Sequence, residues 1–189
     1  MPRLIKAFRG GDNHLLSSLG RIFEEHGFRL LGAQDVVQDL LLPEGILTGV
    51  RPNARDRADI VRALAIIDAA GPFDIGQAAV VAEQHCLAVE GAEGTDQLLE
   101  RIAAMRASGR VRAPSGIGVL VKAPKPGQDR RFDLPTIGPQ TVEGAVRAGL
   151  AGIAVAAGST IAAEIERLTA LADRNGMFVV GIRSDGTFD

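Results

Sequence analysis

The sequence predicts an α/β fold: a single domain built on a mixed, partly parallel sheet with flanking helices. Three observations predict it. The last third of the chain alternates helical and strand periodicity, which is the pattern of crossover connections between parallel strands. Farther upstream, two β-rich runs flank a short polar break, as in an antiparallel hairpin. After the hairpin, residues 116–122 read GIGVLVK, an apolar run without polar alternation, as a strand covered on both faces requires.

Each element has a local reason. The first helix is expected over 13–25, where Leu15, Leu16, Leu19, Ile22 and Phe23 recur on one face. Asp12 or Asn13 is suited to cap its start and Gly27 to end it. Residues 28–32 then read as a short strand. A second helix over 55–69 is expected to bury Ile60, Val61, Leu64 and Ile67 and to stop at Gly71-Pro72. The runs 77–83 and 86–90 form the hairpin, and 95–107 is a helix with Leu98, Leu99, Ile102 and Met105 inward. Strand 116–122 leads into an irregular, proline-rich loop over 123–138. Beyond it come helix 141–148, strand 152–155, helix 161–175 and strand 177–182. Residues 184–189 read as a flexible tail, so the folded domain is expected over 1–183.

Composition removes several function classes. Hydrophobic residues make up 46% and charged residues 23% of the 189, a balance that can bury a core. The net charge is −2, and seven Phe stand without Trp or Tyr. Such a chain has neither the basic excess that grips a phosphate backbone nor many stacking platforms, so no nucleic-acid partner is expected. The single cysteine, Cys86, cannot close an internal disulfide and reads as a small apolar core residue. No apolar run approaches the ~20 residues of a membrane span, and MPRLIKAFRGG lacks the apolar stretch of a secretory signal. The expectation is a cytoplasmic protein that can still work at the inner membrane surface. The three histidines show no zinc spacing, and no glycine-rich nucleotide loop or serine-nucleophile elbow occurs.

The stretch 122–138, KAPKPGQDRRFDLPTIG, carries the most chemistry. It places Lys122, Lys125, Arg130 and Arg131 among Gln128, Asp129 and Asp133 just beyond a buried strand, where open α/β sheets bind ligands. Lys and Arg suit phosphate oxygens, and Asp suits a divalent metal or a general base. Thr136, Gly138 and the start of the next helix could add backbone donors for an anion. The competing reading is a solvated loop whose opposite charges pair with each other. A second constellation, EGAEGTD over 90–96, offers Glu90, Glu93 and Asp96 for a cation or a water. Thr95 as a helix cap and Asp96 facing the helix dipole explain the same residues without a ligand. Gly10, Gly11 and Asp12 form a glycine turn before a helix, and Asp74-Ile75-Gly76-Gln77 a tight turn before a strand.

Taken in order, Gly11-Asp12, Asp74 to Gln77, Glu90 with Glu93 to Asp96, and the long 122–138 motif closely resemble the C-terminal domain of the LpxI-type UDP-2,3-diacylglucosamine pyrophosphatases. The resemblance covers nearly the whole chain. It implies hydrolysis of UDP-2,3-diacylglucosamine to UMP and 2,3-diacylglucosamine 1-phosphate (lipid X) in bacterial lipid A synthesis, with Mg²⁺ or another divalent cation. It makes Asp133 and Asp129 the catalytic candidates, Asp133 foremost. It assigns Asp133, Asp129, Glu93 and Asp96 to the metal, and Lys122, Lys125 and Arg131 to the pyrophosphate. Gln128, Gln77, Thr136, Gly138, Gly94, Thr95 and Asp12 would complete the substrate site. Family members carry a further Rossmann-like N-terminal domain that this sequence lacks, so little hydrolase activity is expected from the chain alone. Two other classes stay open: a non-catalytic module binding a phospholipid or nucleotide, and a structural domain forming a homodimer.

Overall fold

A computed structural model describes residues 12–188. Its centre is a six-stranded sheet in the order β1-β8-β6-β4-β2-β3, formed by β1 (Gly45–Ile46), β2 (Ala78–Ala82), β3 (His85–Val89), β4 (Val119–Lys122), β6 (Gly152–Ala156) and β8 (Phe178–Ile182). β4, β6 and β8 run parallel, while β1, β2 and β3 pair antiparallel to their neighbours. The expected α/β domain with a mixed sheet is what forms. A separate parallel pair, β5 (Thr136–Ile137) with β7 (Ile161–Ala162), sits outside the main sheet.

Two cores follow from the strand period of two. Ala78, Val80, Leu120, Ile153, Val155 and Val179 face one side. There they meet Leu98, Leu99 and Ile102 of α4 (Gly94–Ala107), Val142 and Ala145 of α5 (Pro139–Arg147), and Leu168 and Ala172 of α6 (Ile165–Arg174). The alternate residues Ala79, Val81, Val119, Val121, Ala154 and Val180 face α3 (Ala54–Ala70), which contributes Ile60, Ala63, Leu64 and Ile67. The apolar strands are therefore covered on both faces, as GIGVLVK requires.

Several expectations change. Residues 28–32 form no strand; Gly32 N instead donates to Asp35 Oδ2 at 2.8 Å and opens the one-turn helix α2 (Ala33–Val36). α1 (Asp12–Glu25) matches its expected span, yet Phe23 is half exposed. In α3, Val61 points outward at 51% exposure, and the start is capped by Asn53, whose side chain accepts from Arg55 N and Asp56 N. The helix expected over 161–175 begins only at Ile165. Its first turn is replaced by β7, because Ile161 N and Ala163 N donate to Pro135 O and Ile137 O. Residues 184–188 are no free tail: Phe188 is 4% exposed, packs in the α3 core and lies 4.1 Å under the Arg57 guanidinium. Cys86 is exposed, not in the core.

Strand direction positions the site. β2 and β3 run antiparallel and β4 runs against β2, so the start of β2, the end of β3 and the end of β4 share one rim of the sheet. Gln77, Glu90 and Lys122 stand there. The chain leaving β3 enters α4 at that rim, and the chain leaving β4 is the 123–138 loop that leads into α5.

Candidate functional site

Two cavities open on this rim. The smaller, about 490 Å³, is lined by Asp74, Gln77, Glu90, Lys122, Lys125, Asp133 and their neighbours. The larger, about 780 Å³, lies between the starts of α4 and α5. Lys122 and Thr136 border both.

Asp133 is held by two carboxamides. Gln128 Nε2 donates to Asp133 Oδ2 at 2.7 Å and to its carbonyl at 3.1 Å, and Gln77 Nε2 donates to the same Oδ2. Gln128 is itself fixed, since its Oε1 accepts from Lys125 N at 2.9 Å. Both donors fall on Oδ2, which leaves Oδ1 with no hydrogen-bond partner among the described residues. Glu90, 8% exposed, ties the rim together: one oxygen accepts from Gln77 N at 2.7 Å and the other from Thr95 Oγ1 at 2.6 Å. Gly76 makes this approach possible. Its φ is +48°, and a Cβ there would stand 2.2 Å from the Glu90 carbonyl oxygen.

Lys122 is 7% exposed and donates to Thr136 O at 2.9 Å. Burial lowers its pKa below the ordinary lysine value, opposed by the carboxylates of Glu90, Asp96 and Asp133. Lys125 pairs with Asp74 at the opposite wall of the smaller cavity. That turn was readable from the sequence as geometry alone, and its role in holding Lys125 was not.

The other expected site residues separate. Asp129 and Arg131 pair at 2.8 Å, and Arg131 also reaches Glu24 on α1, so this pair ties the loop to the first helix and lines neither cavity. The Arg131 hydrogen bonds hold the Asp129 carboxyl below its ordinary pKa. Glu93 pairs with Arg101 at 2.9 Å, and Asp96 accepts from Gln140 Nε2 at 2.9 Å. The expected metal set of Asp133, Asp129, Glu93 and Asp96 is thus not gathered, and no group of three or more His, Cys, Asp and Glu among the described residues is spaced to hold an ion. Thr95, Gly94, Thr136 and Gly138 do line the larger cavity. The Asp12 side chain lies outside the described residues. Sequence reasoning missed Gln140 and Arg147; a Gly-Pro step opening an amphipathic helix was the signal for the first.

Fold and rim together define an α/β domain with a carboxylate and two lysines at the carboxyl end of its central strand. The comparisons agree with that class and make it specific. The LpxI C-terminal domain model matches residues 43–180, and the chain belongs to this family. It is 47% identical over 182 residues to the UDP-2,3-diacylglucosamine pyrophosphatase LpxI of Caulobacter vibrioides. The match covers 96% of this chain and 65% of that relative's length. No helix among the described residues is long and apolar enough to cross a membrane.

Proposed function

We propose that this domain takes part in hydrolysis of the diphosphate of UDP-2,3-diacylglucosamine, releasing UMP and 2,3-diacylglucosamine 1-phosphate in lipid A biosynthesis. The observation that carries the reading is Asp133, with Oδ2 fixed by Gln77 and Gln128 and Oδ1 unengaged at a cavity bordered by Lys122 and Lys125. A carboxylate oriented in this way can accept a proton from a water attacking phosphorus, and the ammonium groups offset the charge that builds on the phosphate oxygens. The bond between that phosphorus and the bridging oxygen breaks, and the second phosphate leaves. Ile75, 45% exposed, lines the cavity, and with the neighbouring Phe73, 76% exposed, it suits an acylated sugar at a membrane surface.

The four expected ligands do not form a resident divalent-ion site, because they are not gathered: Asp129 pairs with Arg131 and Glu93 with Arg101, while Asp96 and Asp133 each accept on one oxygen from separate partners. The dependence on Mg²⁺ is proposed to enter with the diphosphate of the substrate. The relative's additional length is proposed to supply the opposite wall of the cleft, so the activity belongs to the longer protein.

The test is UMP release by a longer, two-domain form with Mg²⁺ present. Asp133→Asn is expected to lower kcat by about 10²–10⁴-fold with little change in KM. Near-normal turnover would remove Asp133 from the reaction. Tight binding of the substrate without turnover in the unmodified protein would favour a non-catalytic binding module.

A further inference from the structure

The two carboxamides on Asp133 are not equivalent. Gln128 belongs to the same loop, five residues before Asp133, and travels with it. Gln77 belongs to the sheet, at the start of β2, so it is the one that ties Asp133 to the strands. A hydrogen bond orients a carboxylate only as firmly as its donor is held. Gln77 precedes the β2 ladder, whose register with β4 begins at Ala78. The chain reaches it through a turn with two left-handed residues, Asp74 at φ +56° and Gly76 at +48°. Its rigidity has to come from other contacts.

Glu90 supplies one of them. Its backbone continues β3, where its N–H donates to Ala78 O at 2.9 Å. Its carboxylate then spans a gap: Oε2 accepts from Gln77 N at 2.7 Å and Oε1 from Thr95 Oγ1 at 2.6 Å. On the other side the Gln77 carbonyl accepts from Ala123 N at 3.0 Å. Both backbone groups of Gln77 are therefore engaged, and its side chain is left to reach Asp133. Glu90 forms no ion pair among the described residues, but its charge opposes the lowered pKa of the nearby Lys122. Reach and charge are thus separate properties of this side chain, and experiment can part them.

We propose that Glu90 is a positioning residue for Asp133. By bracing the Gln77 amide against the start of α4, it holds the Gln77 carboxamide on Asp133 Oδ2 and keeps Oδ1 free at the cavity. It acts through Gln77 and contacts no reacting atom. Its bearing on catalysis rests on the hydrolase reading; the brace itself does not. The role requires a side chain long enough to engage both donors. Gln meets it, since its carbonyl can accept from Gln77 N while its amide donates to the Thr95 hydroxyl oxygen. Asp keeps the charge and is one methylene too short to span both.

The test compares Glu90→Ala, Glu90→Asp and Glu90→Gln, first in the full 189-residue chain labelled with ¹⁵N. The side-chain NH₂ signals of Gln77 are expected to collapse toward those of a free carboxamide in the Ala and Asp variants and to stay dispersed in Glu90→Gln. Those of Gln128 should move little. In the two-domain form with Mg²⁺, the Ala and Asp variants are expected to lose about 10²-fold in kcat with KM nearly unchanged, and Glu90→Gln to recover most of that loss. Adding Glu90→Ala to Gln77→Ala should cost little beyond Gln77→Ala alone, because both act on one contact. If Glu90→Ala does not fold, Glu90→Asp against Glu90→Gln carries the same contrast. Activity that follows charge, kept in Glu90→Asp and lost in Glu90→Gln, would overturn the brace. So would additive losses in the double variant, or Gln77 signals that do not move. Gln77 signals that respond as expected, in a protein whose unmodified two-domain form releases no UMP, would leave the brace standing and remove the hydrolase reading. Loss of UMP release in Asp133→Asn with full release in Glu90→Ala and Glu90→Asp would do the reverse.

Discussion

Lys122 couples what the domain loses in stability to what it gains in binding. Its ammonium, at the end of β4, is desolvated with one hydrogen bond to Thr136 O, and burial lowers its pKa. Lys122→Met removes that cost and gives up about 1 kcal/mol of hydrogen bond. Its melting midpoint is expected to rise by a few degrees at neutral pH while phosphate binding is lost. The sign with pH follows from the lowered value. Between the folded-state pKa and the ordinary 10.5, the unfolded chain binds the extra proton, so the unmodified domain gains stability as pH rises. The advantage of Lys122→Met should therefore shrink on approach to pH 10.5, as thermal melts at several pH values would show. Added phosphate should raise the midpoint of the unmodified chain and leave that of the variant unchanged. Equal responses would refute the coupling. At this scale the sequence revealed the residue types but not their pairing. Lys122, Lys125, Gln128 and Asp133 were legible as a strand-end cluster and do line or frame the rim. Asp129 and Arg131 looked equivalent to them, yet two residues' separation lets them close on each other and on Glu24. Which charges in a mixed loop face the cavity is set by tertiary packing, and one-dimensional spacing carries no trace of it.

Helices and strands were more readable than the segments between them. α3, α4 and α5, the β2–β3 hairpin, and strands β4, β6 and β8 all lie within a few residues of their periodic patterns, because each buries a continuous apolar face. β5 and β7 were invisible for the opposite reason. Two-residue strands have no period, and Ile161 continues the apolar pattern of the helix that follows it. α3 begins one residue before its apolar period, at Ala54, because the Asn53 side chain accepts from Arg55 N at 2.8 Å and caps it there. Asn53→Ala is expected to cost about 1 kcal/mol, read as a lower urea midpoint with an unchanged slope. α3 packs on the face opposite α4 and α5, so phosphate binding at the rim should be unaffected. A change in binding would show that the two faces communicate.

For the molecule as a whole, the three-layer arrangement and the shared rim were inferable from the order of elements, whereas closure of the chain's far end was not. Residues 184–188 have the polar, glycine-containing look of a loose end. Even so, Phe188 fills a gap beside α3, with Arg57 above its ring. Phe188→Ala is expected to destabilise the domain by about 3 kcal/mol, measured by chemical unfolding. Arg57→Ala, which removes only the stacked cation, should cost about 0.5–1 kcal/mol. If Phe188→Ala proves neutral, the last turn contributes nothing to the core.

The sole thiol of the chain has a practical corollary. Cys86 is exposed near the β2–β3 turn, at the end of the hairpin away from Gln77 and Glu90. Partial desolvation of the thiol raises its pKa, so its alkylation by iodoacetamide should quicken as pH rises above neutral. A biosensor chip or fluorescent dye attached through that single sulfur would hold every molecule in one orientation, with the binding rim turned outward and unobstructed.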